Sequence, residues 1–321
     1  MVYPFTFEPI FHERIWGGRK LEQLYHKRLP GSAPIGESWE ISDRDNAVSR
    51  IANGPLAGRD LRWLMEHHQR ELLGAREPAL KRFPLLVKIL DAAEKLSLQV
   101  HPPAALAARL HAEPKTEMWF IVDAEPGAEL YVGLKRGVTR AQFERQIQDG
   151  SVAECFHRVQ VKPGDAMFLP SGRVHAIGAG LVIFEIQQNS DTTYRVFDWN
   201  RAGLDGKPRP LHLAESLASI DFNDFEPAPV RREFNGAGPV QVRALVRDSL
   251  FNVDAIRLTG DAPLALTPER MQIVGVVAGN LRVESEGGEA RLEPGQFALV
   301  PAALAETRVV SPAGATILRV E

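Results

Sequence analysis

The sequence has almost no cysteine and no surplus of charge of either sign, and each shortage excludes a class of protein. Its 321 residues include one cysteine, Cys155, so an intramolecular disulfide framework and a cysteine-rich zinc site are excluded. So little cysteine fits a reducing compartment. The formal net charge is −3 and the basic residues form no dense run. This pattern lacks the positive footprint of a nucleic-acid-binding protein.

Long hydrophobic runs are missing as well. No apolar stretch of the sequence approaches the ~20 residues that a membrane helix requires. Near the N-terminus, Glu8, His12 and Glu13 interrupt the segment where a secretory signal would be apolar. We therefore expect a cytoplasmic protein, a monomer or homodimer, that binds neither membrane nor nucleic acid.

Short segments rich in β-branched and aromatic residues recur between Pro, Gly and Asp breaks, and they predict strands. The predicted strands are residues 85–90, 96–101, 116–122, 129–134, 155–161, 166–169, 181–188 and 192–199. Helical periodicity is rarer. The predicted helical segments are residues 59–73, 103–112, 139–149 and 210–220. Many short strands and few helices predict a mainly β protein, a sandwich or a barrel.

The chain contains a faint internal repeat. Residues 161–170 (VKPGDAMFLP) resemble residues 292–301 (LEPGQFALVP) at a constant offset of 131 residues. Each copy predicts a Pro-Gly turn followed by a strand, so the repeat indicates two similar β-domains. A Pro- and Gly-containing linker at 221–238 separates them. We predict a catalytic domain at 1–235 and a degenerate domain at 236–321, because Glu306 stands where the first copy has His175.

The strongest local signal is the segment SLQVH, residues 97–101. Alternate side chains of a strand share a face, so Ser97, Gln99 and His101 point one way. Polar groups that face inward need partners, and Gln99 and His101 can both reach one metal ion. Taken alone, such a strand is more often structural, because polar alternation is normal in sheets with one solvated face.

Two further segments supply candidate ligands. Lys115, Glu117 and Trp119 share a strand face, and the turn after residue 164 leads to His175. Glu117 offers a carboxylate, with Lys115 beside it as a cation for an anionic substrate. Two imidazoles, a carboxylate and the amide of Gln99, the weakest donor, suit zinc, manganese or iron(II). The alternatives are a Glu117–Lys115 salt bridge and a structural His175.

Two later strands carry polar groups toward one face. Glu185 and Gln187 alternate with apolar residues, and Arg195 interrupts an apolar strand. A buried arginine meets a carboxylate, a phosphate or an oxyanion, so Asp191 or Asp198 is the structural alternative for Arg195. The remaining histidines lack a partner pattern or lie on a predicted helix face: His12, His26, His67, His68, His111, His157 and His212.

Four segments in this order resemble the type I mannose-6-phosphate isomerase family, most closely its shorter bacterial form. They are LSLQVHP, KTEMWFIVD, GDAMFLPSGRVHAIGAG and EIQQNSDTTYRVFDW. The similarity runs from about Pro9 to Asn200. The spacing of Gly164, Pro170, Gly172 and His175 also fits the second motif of the cupin superfamily. The first cupin motif is altered, with Gln99 where a histidine is usual.

The resemblance implies two cupin-type, jelly-roll β-barrels and one Zn²⁺ per chain. It implies that the zinc ligands are Gln99, His101, Glu117 and His175 and that Arg195 is catalytic. Ser97, Lys115 and Glu185 are the expected substrate-binding residues.

The implied reaction interconverts mannose 6-phosphate and fructose 6-phosphate through a cis-enediol. For the general base, Glu185, Lys115 and a metal-bound water remain open. The alternative functions are a cupin-type metal oxygenase and a non-catalytic sugar-phosphate sensor.

Overall fold

The computed structural model describes residues 2–75, 79–260 and 262–321, and it is mainly β, as predicted. The strands of the first part of the chain are β1 (Phe5–Thr6), β2 (Ile10–Gly18), β3 (Ile35–Ile41), β4 (Asp43–Arg44), β5 (Ala47–Val48), β6 (Leu85–Ala92), β7 (Leu98–Val100), β8 (Glu117–Ala124), β9 (Glu129–Leu134), β10 (Phe156–Gln160), β11 (Ala166–Leu169), β12 (His175–Ile177), β13 (Leu181–Gln188) and β14 (Tyr194–Phe197). The strands of the second part are β15 (Val240–Arg247), β16 (Asn252–Leu258), β17 (Leu264–Ala265), β18 (Gln272–Gly279), β19 (Leu281–Ser285), β20 (Gly288–Leu292), β21 (Phe297–Val300), β22 (Arg308–Val310) and β23 (Ala315–Val320).

The helices are short and lie where the sequence predicts them, apart from the first. They are α1 (Lys20–Tyr25), α2 (Leu61–Leu73), α3 (Ala104–Ala107), α4 (Arg140–Asp149) and α5 (Leu213–Ser219), with 3₁₀ turns at Ala108–Leu110 and Val152–Cys155. The side chains of Asp60 and Thr139 accept backbone N–H groups at the starts of α2 and α4. Such caps satisfy amide groups that have no partner within the helix. Of the described helices, none is both long and apolar enough to cross a membrane.

The first unit consists of two antiparallel sheets that face each other. Their strand orders are β11-β8-β13-β6-β2-β3 and β10-β9-β12-β7-β14. Side chains from both sheets meet in one buried cluster, with Trp119 and Ile183 from the first sheet and Val132 and Ile177 from the second. The candidate ligands lie on strands β7, β8 and β12 or directly beside them, so the two sheets bring distant segments of chain together.

The second unit repeats this plan with a sheet of order β1-β21-β18-β23-β16-β15 and another of order β17-β22-β19-β20. Strand β1 comes from the N-terminus and pairs with β21. The first residues of the chain therefore join the sheet of the second unit. The segment predicted as a linker lies along the first unit, with bridges from Phe225 to Leu134 and from Val230 to Ala166.

The two six-stranded sheets pack against each other through their remaining faces. Phe184 of the first unit contacts Phe297 of the second, with ring centroids 5.1 Å apart, and Phe168 contacts Phe251 at 6.5 Å. Residues of both sheets belong to one large buried hydrophobic cluster. Burial of apolar area contributes about 25 cal/mol per Å², so each unit stabilises the other.

The sequence repeat corresponds to a repeat in structure. Gly164 and Gly295 both have positive φ, 91° and 75°, in the Pro-Gly turns that precede β11 and β21. Glycine adopts this conformation without steric cost. The amide of Gly164 donates to the carbonyl of Ile121 (2.8 Å), and that of Gly295 donates to Val276 (2.9 Å). The two turns dock on equivalent strands, β8 and β18.

Candidate metal centre

Three of the predicted ligands form a compact buried cluster. Nε2 of His101 lies 3.5 Å from one carboxylate oxygen of Glu117, and Nε2 of His175 lies 3.3 Å from the other. One ligand atom from each residue fits within a span of 4.8 Å. All three side chains are buried. His101 follows β7 directly, Glu117 begins β8 and His175 begins β12, so strand pairing creates the cluster.

Backbone hydrogen bonds orient both imidazoles. Nδ1 of His101 is 2.8 Å from the carbonyl oxygen of Thr192, and Nδ1 of His175 is 2.9 Å from that of Arg173. A carbonyl only accepts, so each Nδ1 carries the proton and each Nε2 has a free lone pair. Both lone pairs point toward the carboxylate of Glu117. This second contact is the usual way in which proteins orient a metal-binding histidine.

The cluster lacks the partner that its chemistry requires. Nε2 of His101 and Oε1 of Glu117 are buried and have no hydrogen-bond partner, and Oε2 of Glu117 lies 3.2 Å from the Lys115 ammonium. Two imidazole lone pairs facing a carboxylate are acceptors without a donor between them, which is costly in a buried place. A divalent cation among these atoms removes that cost. The donor set of two imidazole nitrogens and a carboxylate suits such an ion.

The ionisation states also fit a metal ion. Burial, together with the neighbouring Lys115 ammonium, lowers the pKa of His101 to about 4, and burial lowers that of His175. Burial works to raise the pKa of Glu117, but Lys115 and the two imidazoles outweigh it and lower that pKa well below its usual range. Near neutral pH the cluster is therefore two neutral imidazoles and a carboxylate, the protonation states that bind a metal ion.

Gln99 borders the cluster. Its Nε2 is 3.3 Å from Nε2 of His175, and Ser97 Oγ lies 3.4 Å from its Oε1. Rotating the terminal amide exchanges the positions of its nitrogen and oxygen, which turns the oxygen toward His175. The fourth predicted ligand thus stands next to the other three.

A cavity of about 630 Å³ adjoins the cluster. All four residues predicted for substrate binding or catalysis line it: Ser97, Lys115, Glu185 and Arg195. Lys115 Nζ lies 3.2 Å from Glu117, so this lysine connects the cavity to the cluster. Burial works to lower the pKa of Lys115, but the carboxylates of Glu117 and Glu185 outweigh it and raise that pKa. Lys115 keeps its proton near neutral pH.

Glu185 belongs to a charge network that sequence reasoning missed. Its carboxylate lies 3.3 Å from Lys88 Nζ and accepts a hydrogen bond from Trp119 Nε1 (3.0 Å). Lys88 also lies 3.9 Å from Glu37, which Arg14 contacts at 3.0 Å. One signal was present in the sequence. Lys88 is a lone charge in the apolar run LLVKIL, and a buried lysine is almost always paired.

Arg195 does not form the ion pair with Asp191 or Asp198 that was the structural alternative for it. Asp198 pairs with Arg209 (2.6 Å) and Arg201 (3.1 Å) instead. One terminal nitrogen of Arg195 donates to the carbonyl oxygen of Pro210 (3.2 Å), and its Nε is buried without a partner. Within the described ranges no carboxylate lies at salt-bridge distance from Arg195. Its charge is available to a ligand in the cavity.

Comparisons with known proteins agree with this geometry. Residues 5–118 match the family model of phosphomannose isomerase type I, catalytic domain. The chain is 37% identical to mannose-6-phosphate isomerase ManA of Bacillus subtilis, across 95% of both chains. It is 36% identical to the probable mannose-6-phosphate isomerase GmuF of the same organism, across 95% of this chain and 96% of the relative.

Solved structures give the same result. The crystal structure of the mannose 6-phosphate isomerase from Bacillus subtilis superposes with a TM-score of 0.91 at 31% identity, and all of both chains is covered. The phosphomannose isomerase of Salmonella typhimurium, at 18% identity and a TM-score of 0.78, shares the fold. The chain belongs to the type I phosphomannose isomerase family.

Proposed function

We propose that the protein is a metal-dependent aldose–ketose isomerase that interconverts mannose 6-phosphate and fructose 6-phosphate. The observation that carries the proposal is the buried, unsatisfied cluster of His101, Glu117 and His175 beside a cavity with an unpaired arginine. The two Bacillus subtilis relatives, which match along almost their whole length, are named as a mannose-6-phosphate isomerase and a probable one. The cytoplasmic location and the monomeric or homodimeric state stay predictions.

The proposed cofactor is one Zn²⁺ per chain, held by Gln99, His101, Glu117 and His175. The nitrogen and oxygen donors and the absence of sulfur support a borderline cation of this kind. When bound, such an ion supplies Lewis acidity to the oxygens on C1 and C2 of the sugar. The protein contributes neutral imidazoles that are already oriented by backbone carbonyls.

The side chains that line the cavity supply the base, the hydrogen-bond donor and the positive charge that the reaction requires. Moving a proton between C1 and C2 requires a base, and the carboxylate of Glu185 is placed for that role because it lines the cavity, where its Oε1 lies 3.3 Å from Lys88 Nζ. Lys115 holds its proton and therefore serves as a donor to the substrate rather than as the base. Arg195 offers fixed positive charge to the enediolate or the phosphate. Ser97 lines the wall beside Gln99.

We also propose that each pair of sheets is a cupin-type jelly-roll barrel. The repeated Pro-Gly turns at Gly164 and Gly295 support this interpretation. The proposed division is a catalytic domain at 1–235 and a degenerate domain at 236–321, to which β1 adds one strand. The second domain serves as a support for the first through the shared core.

Incubation with mannose 6-phosphate in deuterated water tests the function directly. We expect fructose 6-phosphate to form and deuterium to appear at C1 or C2, because the transferred proton can exchange with solvent at the enediol stage. Two other outcomes would reject the proposal. Binding of the sugar phosphate without isomer exchange would indicate a sensor, and oxygen uptake with bound iron would indicate an oxygenase.

A further inference from the structure

One wall of the cavity is a loop that connects β14 to α5. Residues 198–212 fold back on themselves, with Gly203 N–H donating to the carbonyl of Lys207 (2.7 Å). Asp198, at the start of the loop, forms a salt bridge of 2.6 Å with Arg209 in its second half and so holds the two halves together. Leu204, Asp205, Arg209 and His212 of this loop line the cavity. His212 therefore lies within reach of a ligand, although the sequence gives it no partner.

His212 is joined to Arg195 by two backbone contacts. The amide of His212 donates to the carbonyl of Arg195 (2.9 Å), and the amide of Arg195 donates to Nδ1 of His212 (3.2 Å). Because Nδ1 accepts, the proton of the neutral ring is on Nε2. Burial and the charge of Arg195 lower the pKa of His212, which favours the neutral ring near pH 7. The free side of the ring is thus an N–H donor.

The strand register gives the distance of this donor from the metal cluster. His175 pairs with Gln99, and Gln99 pairs with Arg195, on adjacent strands. His212 forms hydrogen bonds with the backbone of Arg195 on the side that faces away from Gln99. It is two strand spacings from Gln99, or about 10 Å along the sheet. The phosphate of a sugar whose C1 and C2 lie at the metal cluster meets this donor if the sugar extends toward β14.

The pairing of the charged side chains that line the cavity also indicates the region around Arg195 as the place for an anionic group. Arg14 pairs with Glu37, Lys88 with Glu185, Lys115 with Glu117, and Arg209 with Asp198. Among the described cavity-lining lysines and arginines, Arg195 alone has no carboxylate within salt-bridge distance. A dianion gains most beside this unpaired guanidinium, which is where the N–H of His212 is held.

We propose that His212 is a substrate-binding residue that donates its Nε2–H to the phosphate group of the sugar phosphate, beside Arg195. The inference rests on the proposed function for the identity of the ligand. His212 thereby distinguishes a phosphorylated sugar from an unphosphorylated one. Its second contact, to the backbone of Arg195, holds the ring in position.

Two substitutions separate these contacts. His212→Asn keeps an acceptor at the position of Nδ1 but removes the donor, whereas His212→Gln keeps a donor near the position of Nε2 but removes the acceptor. A hydrogen bond to a charged group is worth roughly tenfold or more in binding. We expect His212→Asn to raise KM for mannose 6-phosphate and the inhibition constant of inorganic phosphate about tenfold. Any turnover of unphosphorylated mannose should fall less than that of mannose 6-phosphate, because mannose lacks the group that His212 binds.

His212→Gln should retain phosphate affinity within about threefold of the wild type. The matched control is His67→Gln on the exposed face of α2, which should change neither constant. A wild-type KM for mannose 6-phosphate in His212→Asn would overturn the inference. Equal losses on mannose and mannose 6-phosphate would also overturn it, because they would reveal a role through Arg195 only.

The same variants distinguish a failure of the inference from a failure of the proposed function. If the wild type does not isomerise mannose 6-phosphate, the proposed function fails. Calorimetric titration with inorganic phosphate then decides the inference, which requires about tenfold weaker binding by His212→Asn than by the wild type. Equal binding by the two proteins would reject it.

Discussion

The two units of the molecule share a framework but use buried charge differently. The sequence repeat makes Leu169 of the first unit equivalent to Val300 of the second. Leu169 pairs with Glu117 on the neighbouring strand, and Val300 pairs with Gln272. Glu117 and Gln272 therefore occupy equivalent positions. The first unit thus has the carboxylate that we propose as a metal ligand where the second has an amide. The Nε2 of that amide, Gln272, donates to the nearby carbonyl of Thr267 (2.7 Å), and its Oε1 is buried without a hydrogen-bond partner.

A second pair of positions shows the same contrast. Lys88 faces Glu185 across β6 and β13, and the register places Asp254 opposite Arg319 across the equivalent strands β16 and β23. The ion pair is present in both units with its signs reversed. In the first unit both members of the pair line the cavity, with Glu185 Oε1 at 3.3 Å from Lys88 Nζ. In the second, Asp254 is bound by Arg247 and Arg319 together.

This difference indicates how one fold serves two purposes. Buried charges that satisfy one another contribute to a unique structure and have little capacity left for a ligand. Buried polar groups that line a cavity, as Lys88 and Glu185 do, remain within reach of a ligand. We propose that the first unit carries the chemistry and that the second carries part of the stability, and substitutions at equivalent positions test this division.

The largest expected effect is on activity and comes from Glu117→Gln. Removing the carboxylate that balances the metal ion should lower kcat about a thousandfold, which corresponds to several kcal/mol of lost charge stabilisation. The control is Gln272→Glu at the equivalent position of the second unit. It should lower thermal stability yet keep kcat within about threefold. A large loss of kcat in the control would break the comparison.

The next largest effect is expected from Arg319→Ala, which should lower stability and leave activity intact. It removes one partner of buried Asp254, and a broken buried ion pair costs about 3 kcal/mol. We expect the free energy of unfolding to fall by that amount in urea titrations, while kcat of the folded enzyme stays within about threefold. Unchanged stability with lost activity would assign chemistry to the second unit.

A smaller effect is expected from Arg195→Ala. Among the described residues its guanidinium donates one hydrogen bond, to Pro210, so the melting temperature should shift by only a few degrees. Catalysis loses a fixed positive charge, and kcat/KM should fall roughly a hundredfold. Steady-state kinetics and thermal melts on one preparation measure both. A large loss of stability with intact kinetics would make Arg195 a structural residue.

The smallest effect concerns Glu37 and the pH dependence of stability. Burial works to raise its pKa, but Lys88 and Arg14 lower it well below the ordinary value of 4.5. A depressed pKa stabilises the fold above the ordinary value, and this contribution is lost as pH falls below it. Wild type and Glu37→Gln should therefore differ by a constant free energy of unfolding above about pH 5. The difference should shrink below pH 4.5, and a constant gap down to pH 3 would contradict it.

Much of the fold follows from local sequence signals. The strands at Glu129–Leu134, Ala166–Leu169 and Leu181–Gln188 have the predicted bounds because turn residues enclose each of them. The repeat at Gly164 and Gly295 was visible for the same reason. The pairing of β1 with β21 was not, because nothing in a two-residue strand specifies a partner almost 300 residues away.

The site divides in the same way. His101, Glu117 and His175 were recognisable because each belongs to a motif, and strand parity places Gln99 and Ser97 on one face. Lys88 and Glu37 were missed, since their pairing depends on the register of distant strands. The sequence gives no signal for His212, because its proposed role depends on a loop that folds back onto Arg195, and backbone hydrogen bonds of this kind do not show in the pattern of side chains.

Titration of the metal-free protein with Zn²⁺ tests the central claim most directly. The protein is stripped with a chelator, and isomerase activity is followed as metal is returned. We expect no activity at the start and a linear rise that ends at one equivalent per chain, with no recovery in Glu117→Gln. Full activity in the metal-free protein would contradict it.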